Sequence, residues 1–156
     1  MTYETLGLPR TPVVLVDSSA LIYLIEGSER RRETVAAVLE AVADSGGRAV
    51  ASTIVWTEVL ARPLSERNAA LAERYRILLA DSRRIQLVPV DVAIAEEAAR
   101  LVAGNGLGIP DALHLATALV LRANAVLGND EAWKSVPGCP RLLLVDEIAF
   151  DFPGFA

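Results

Sequence analysis

Short runs of apolar residues alternate with helix-forming stretches along the chain. The runs predict five strands, at residues 13–16, 49–51, 85–90, 125–127 and 142–145. The first run, Val13–Val16, is apolar throughout, which is typical of a strand buried on both faces. Helices are predicted after Asp17 and at residues 29–43, 52–63, 65–80, 92–102 and 110–122. Because alternating strands and helices form parallel sheets covered on both faces, the sequence predicts an α/β fold, a three-layer α/β/α sandwich with a central parallel five-stranded sheet.

The length and composition indicate a folded domain. A chain of 156 residues that is 53% hydrophobic is long enough for one core and too apolar for disorder. We expect a single domain over residues 1–156, with its core at about 12–147. The first ten residues and the tail after Phe150 are expected to be loosely held. A disulfide scaffold is excluded because Cys139 is the only cysteine.

The absence of membrane and secretory signals and the net charge constrain the function of the chain less strongly than its fold pattern does. No apolar stretch reaches the roughly 20 residues that a membrane helix requires, and residues 1–4 do not resemble a secretory signal. We therefore expect a cytoplasmic protein with no membrane partner. The net charge of −5 argues against a nucleic-acid partner only weakly, since four metal-binding carboxylates would account for most of it.

Four acidic residues stand where a parallel sheet gathers its ligands, beyond the carboxyl ends of the strands. Asp17 follows the first strand, Asp130 follows the fourth, Glu58 lies in the helix after the second strand, and Asp111 opens an apolar helix. Each also has a simpler interpretation. The aspartates suit helix caps or first-turn positions, and Glu58 suits a solvated helix face. If all four meet at one edge, such crowding requires a cation.

The segments around these acids resemble the PIN domain, a metal-dependent nuclease family that includes the VapC-type toxins of toxin–antitoxin modules. The resemblance extends from Val13 to about Val145 and implies a PIN-like fold. Four segments carry it in order: Val16-Asp17-Ser18-Ser19-Ala20-Leu21-Ile22, Ser52-Thr53-Ile54-Val55-Trp56-Thr57-Glu58-Val59, Pro110-Asp111-Ala112-Leu113-His114-Leu115-Ala116-Thr117-Ala118 and Gly128-Asn129-Asp130-Glu131-Ala132-Trp133.

The resemblance implies a role for individual residues. The acidic quartet that would hold Mg²⁺ or Mn²⁺ is Asp17, Glu58, Asp111 and Asp130. Ser19 matches the hydroxyl residue that supports the first aspartate through hydrogen bonds, and Asn129 is a second supporting residue. The chain departs from the family at Gly128, where Thr or Ser often stands two residues before the last aspartate. We expect this departure to affect the orientation or the rate of the site.

By the same resemblance, the function is endoribonuclease activity, with RNA phosphodiester bonds hydrolysed at a carboxylate-bound Mg²⁺ or Mn²⁺ ion, in the toxin of a toxin–antitoxin pair. Hard divalent ions prefer oxygen ligands, and a metal-activated water needs no side-chain nucleophile. The one histidine, His114, is more simply a core or interface residue, and Cys139 an inert turn residue.

Two other function classes remain to be separated from this one. The alternative is a non-catalytic PIN-like module that binds RNA or protein. A receiver-like phosphoacceptor domain fits poorly, because it would need a lysine after the last strand. The only lysine, Lys134, precedes the fifth predicted strand.

The expected partners are an RNA substrate, a cognate antitoxin protein and a second copy of the chain. Arginines at 30–32 and from Arg62 to Arg84 would suit RNA phosphates, although ordinary solvated helix faces explain them equally well. Apolar surface near Trp56, Leu60 and Tyr75 would suit a homodimer or an antitoxin helix, unless these side chains complete the core.

Overall fold

A computed structural model describes residues 1–81 and 83–151. Its strands are β1 Val13–Val16, β2 Arg48–Ser52, β3 Gln86–Val88, β4 Ala125–Gly128 and β5 Arg141–Leu144. Its α-helices are α1 Ser18–Glu26, α2 Glu29–Asp44, α3 Ile54–Ser65, α4 Ala69–Ala80, α5 Val92–Asn105, α6 Ile109–Val120 and α7 Val145–Asp151, and a 3-10 helix spans Glu131–Ser135. The strands form one parallel sheet in the order β3-β2-β1-β4-β5.

The sheet is covered on both faces, as the sequence predicts. Along β1, Val14 and Val16 pack into a core cluster with α1 to α4, whereas Leu15 packs into a second cluster with α5 and α6. All three side chains are fully buried. The alternation follows from the period of two along a strand, and it confirms the three-layer α/β/α sandwich. No helix in residues 1–81 and 83–151 is long and apolar enough to span a bilayer.

Several predicted helix boundaries are wrong. A side-chain hydrogen bond explains one of them, and a glycine conformation explains another. Helix α3 continues two residues beyond Pro63, and α4 begins at Ala69 rather than 65. The start of α4 is set by Asn68, whose side chain accepts a hydrogen bond from the Leu71 amide at 3.0 Å. Helix α5 extends to Asn105 and ends where Gly106 adopts a φ of 67°, a left-handed conformation that favours glycine.

The strand predictions differ from the structure mainly at two ends. β3 covers only Gln86–Val88 of the predicted 85–90. The fifth strand ends at Leu144, and Val145, predicted as its last residue, begins α7 instead. An apolar run continues through this boundary, so periodicity alone does not mark it.

The N-terminal segment is not loosely held, contrary to prediction. Leu6 and Leu8 are 3% and 6% exposed and belong to the core cluster that also contains Val14. The core therefore begins before the predicted residue 12. Of the tail after Phe150, also predicted to be loosely held, the part from residue 152 onward lies outside the described residues.

The burial of Leu6 generates the first testable prediction. Leu6→Ala should lower the free energy of unfolding by about 2–4 kcal/mol, because it removes buried methyl groups and leaves a cavity. Leu64, which is 56% exposed in α3, provides the matched control, and Leu64→Ala should change stability by less than about 0.5 kcal/mol. Urea unfolding of both variants measures the difference. Equal effects would show that the N-terminal segment adds nothing to the core.

Candidate metal centre

The four candidate acids come from four different parts of the fold. Asp17 directly follows β1, and Asp130 follows β4, the neighbour of β1 in the sheet. Glu58 lies in α3, which follows β2, and Asp111 lies in the first turn of α6. β1, β2 and β4 are parallel neighbours, so the residues after them reach the same edge of the sheet.

Asp17 is both a helix cap and a member of this group. It is the N-cap of α1, and its Oδ2 accepts hydrogen bonds from the Ser19 amide at 3.1 Å and from Ser19 Oγ at 2.6 Å. No hydrogen bond from a described residue engages Oδ1. The capping interpretation and the site interpretation are therefore compatible, because each uses a different carboxylate oxygen.

Gly128 lies against this Asp17–Ser19 pair. A Cβ atom at Gly128 would stand 3.0 Å from Asp17 Cβ and 3.3 Å from both Asp17 Oδ2 and Ser19 Oγ. The absence of a side chain thus lets the end of β4 approach the aspartate closely. A serine or threonine at this position would have to displace the pair by a few tenths of an ångström.

Glu58 is held by the histidine that the sequence analysis assigned to the core. His114 is fully buried, as predicted, but its Nε2 also lies 2.7 Å from Glu58 Oε2 and 3.8 Å from Asp17 Oδ1. The sequence carried one signal of this contact: His114 follows Asp111 by one helical turn, which places both on the same face of α6.

The electrostatics of Asp111 reflect its acidic neighbours. Burial raises the pKa of Asp111, and the negative charges of Asp130, Asp17 and Glu58 raise it further, while His114 opposes the shift. All four candidate acids therefore share one electrostatic environment. Asp130 is the most exposed of them, and its Oδ1 accepts a hydrogen bond from the Ala132 amide at 2.9 Å, which caps the 3-10 helix.

The pKa of His114 is also affected by the negative charges of the neighbouring acids. Burial disfavours the protonated ring, but the hydrogen bond with Glu58 and the charges of Asp17, Glu58 and Asp111 outweigh it, so the pKa is raised. A histidine buried without acidic neighbours would shift in the opposite direction.

Asn129, the second supporting residue, is fixed by a polar network on the outer side of the site. Its side chain donates to Asp146 Oδ2 at 2.9 Å and accepts from the Asp146 amide at 3.2 Å. Asp146 in turn accepts two hydrogen bonds of 2.7 Å from Arg31, whose guanidinium lies over the ring of Tyr23. Asp146 could not be predicted from the sequence as part of this network, because its partners lie 115 and 17 positions away.

The predicted arginine surface is largely engaged in internal contacts. Arg30 donates to the Ala149 carbonyl, Arg31 pairs with Asp146 and Arg62 pairs with Glu26. These contacts leave the proposed RNA-facing role without structural support of its own.

The predicted apolar surface needs correction, because Leu60 and Tyr75 complete the core with exposures of 5% and 1%. Of the three residues, only Trp56 contributes surface, being 37% exposed.

The donor set of this site fits a hard divalent cation. All four candidate ligands are carboxylates, and oxygen is the ligand atom that Mg²⁺ and Mn²⁺ prefer. Within residues 1–81 and 83–151, no three acidic, histidine or cysteine side chains stand together as a ready-made metal cage. Mg²⁺ does not require one, since it retains several waters and takes one or two carboxylates directly. Charge density and oxygen donors therefore match the ion, and its waters would complete the coordination.

Comparison with known proteins identifies relatives of this fold. A family model for the PIN domain matches residues 14–138. No curated protein matched the chain. Among solved structures, a toxin–antitoxin complex from Klebsiella pneumoniae is similar, with 24% identity, a TM-score of 0.64, and coverage of 85% of this chain and 97% of that one. VapBC2 from Rickettsia felis, bound to a promoter DNA fragment, shares 17% identity with a TM-score of 0.65 over 85% and 98% of the two chains. VapBC-1 from nontypeable Haemophilus influenzae shares 18% identity with a TM-score of 0.63 over 86% and 98%.

The raised pKa of Asp111 predicts how stability depends on pH. The folded state binds this proton more tightly than the unfolded state. The contribution of Asp111 to the stability of the metal-free protein should therefore fall as pH rises above about 3.9, the ordinary aspartate value. Asp111→Asn should therefore be more stable than the parent at pH 7 in EDTA, and the difference should shrink toward pH 4. Urea unfolding between pH 4 and 8 measures it.

Asp146 provides an aspartate-to-asparagine control of opposite sign. The hydrogen bonds from Arg31 lower the pKa of Asp146, so its contribution to stability is present at neutral pH and is lost as pH falls through the folded-state value. Asp146→Asn should then be less stable than the parent at pH 7. A destabilised Asp111→Asn protein at pH 7 in EDTA would contradict the crowding of charge at the site.

Proposed function

The chain belongs to the PIN domain family, and on this premise we propose that it is a cytoplasmic, metal-dependent endoribonuclease and the toxin of a toxin–antitoxin pair. The observation that supports the activity is the position of Asp17, Glu58 and Asp130 near enough to Asp111, at the carboxyl edge of the sheet, for their charges to raise its pKa. The choice of RNA as the substrate follows from the resemblance to VapC-type nucleases.

We assign the binding of Mg²⁺ or Mn²⁺ to these four carboxylates. When bound, the ion would supply positive charge for the phosphate and for activation of the attacking water. Ser19 donates a hydrogen bond to Asp17 Oδ2, and His114 Nε2 lies at hydrogen-bond distance from Glu58 Oε2. The second oxygen of Asp17 and of Glu58 is then available to the ion, because each hydrogen-bonding contact engages only one oxygen of the carboxylate.

The proposed partner is an antitoxin protein, and the proposed resting form includes a second copy of the chain. The similar structure from K. pneumoniae is a toxin–antitoxin complex by its own description, and those from R. felis and H. influenzae are named VapBC2 and VapBC-1. The partly exposed Trp56 in α3 is an apolar anchor of the type that is enriched at protein interfaces.

Cleavage of RNA is the direct test of this function. The purified chain should cut single-stranded or looped RNA with Mg²⁺ or Mn²⁺ and stop when EDTA is added. Asp17→Asn and Asp111→Asn should each reduce the rate at least about 100-fold, the range found when one electrostatic stabiliser is removed. Glu40→Gln, an exposed change on α2, serves as the control and should leave the rate unchanged. Retained RNA binding with no metal-dependent cutting would favour the non-catalytic module instead.

The partner proposal predicts a measurable complex. Coexpression with the product of an adjoining antitoxin-like gene should yield a stable complex in which RNA cleavage falls to background. Trp56→Ala should weaken that complex at least about tenfold, as expected for an aromatic side chain that the partner buries on binding. Ile77→Ala, at an exposed position on α4, should not weaken it. Size-exclusion chromatography with light scattering measures both the complex and the chain alone. A monomer that binds no such product, or a complex that cleaves RNA at the full rate, would contradict the proposal.

A further inference from the structure

His114 has a contact that neither core packing nor helix formation explains. We propose that His114 is a positioning residue of the metal centre, whose Nε2–H group holds the Glu58 carboxylate beside Asp17. This inference rests on the proposed metal-dependent activity and adds a residue to the four acids. His114 would touch neither the ion nor the RNA, and it would act through Glu58.

The hydrogen bonding of the ring supports this role. The imidazole is fully buried, and its Nδ1 has no hydrogen-bond partner among residues 1–81 and 83–151. The only hydrogen bond of the ring within these residues is therefore made by Nε2, and it joins Nε2 to Glu58 Oε2 at 2.7 Å. Burying a polar ring with one nitrogen unsatisfied is unfavourable compared with burying leucine, so packing alone does not account for a histidine here.

The position of the ring connects three of the four acids. His114 and Asp111 are one turn apart on α6, Glu58 reaches the ring from α3, and Asp17 Oδ1 stands 3.8 Å from Nε2 at the end of β1. The Nε2–H group thus lies within 4 Å of two carboxylates of like charge. A donor at this point offsets part of the repulsion and keeps both side chains directed inward.

Loss of the donor should release Glu58. The glutamate side chain is 26% exposed and has three rotatable bonds, so without the hydrogen bond it can turn toward solvent and away from Asp17. The expected consequence is weaker binding of the ion. Residues that orient metal ligands typically change metal affinity 10- to 100-fold when they are removed.

The sharpest test compares two polar replacements of different length. His114→Gln places an amide nitrogen where Nε2 stands, whereas His114→Asn is too short to reach Glu58. Isothermal titration of the full-length protein with Mn²⁺ should show affinity close to that of the parent for the glutamine variant. The asparagine variant should bind Mn²⁺ at least about tenfold more weakly. Both variants bury an amide, so the cost of burial does not distinguish them.

A second comparison separates positioning from general damage to α6. Thr117 is buried one turn further along and donates only to the Leu113 carbonyl at 2.7 Å, so Thr117→Val should leave Mn²⁺ affinity unchanged. In a Glu58→Ala background, His114→Asn should cause no further loss of affinity, because its effect passes through Glu58. In the cleavage assay, His114→Asn should lower kcat and leave KM for RNA unchanged, since the ring is buried away from the substrate.

The outcomes distinguish this inference from the proposed function. Equal Mn²⁺ affinity of the parent and His114→Asn would overturn the positioning role, as would a full loss that persists in the Glu58→Ala background. A parent protein that binds Mn²⁺ but does not cleave RNA would overturn the ribonuclease proposal and leave the positioning role standing. A parent protein that binds no Mn²⁺ would overturn both. If His114→Asn does not fold, the ratio of Mn²⁺ affinities between His114→Gln and His114→Leu decides in its place.

Discussion

Negative charge gathered at one edge of the sheet is the condition that the hydrogen bonds and packing around it must accommodate. The parallel order places β1 between β2 and β4, so the chain leaves three adjacent strands at the same edge and carries an acid close to each exit. Burial raises the pKa of Asp111 most, and the charges of the other three acids raise it further, so the ionised cluster is unfavourable without a cation. The two core clusters, one on each face of the sheet, bury apolar side chains, and this burial offsets the repulsion among the acids.

The chain limits the repulsion by giving individual carboxylates a local donor. Asp17 is held by Ser19, Glu58 by His114 and Asp130 by the amide of Ala132. In each case the contact engages a single oxygen of the carboxylate. The same contacts that stabilise helix starts or fill the core therefore also orient candidate metal ligands. A helix-capping interpretation of an aspartate is thus no evidence against a functional one.

The parts of the fold that could be predicted from the sequence are those determined by local pattern. Apolar runs gave the five strands, and the acids beyond their ends indicated the functional edge. The predictions that failed concern features that depend on contacts between residues far apart in the sequence. From the sequence, Leu6 is predicted to lie in a loose terminus. In the structure it packs into the core cluster that contains Val14. The contact of His114 with Glu58 joins residues that are 56 positions apart, and no periodicity records such a pair.

The contacts of the loop at Asn129 and Asp130 show how a site can be well defined although each of its sequence motifs, taken alone, identifies it weakly. Asp130 is preceded by Asn129. The side-chain amide of Asn129 donates to Asp146 Oδ2 and accepts from the Asp146 backbone amide at the start of α7. Asp146 is fixed by Arg31 from α2, and Arg31 rests on the Tyr23 ring of α1. One short loop is therefore oriented by helices from both ends of the chain. Asn129 adjoins the last candidate acid, and its contacts exist only when these helices are folded together, so the short motif alone does not specify this loop.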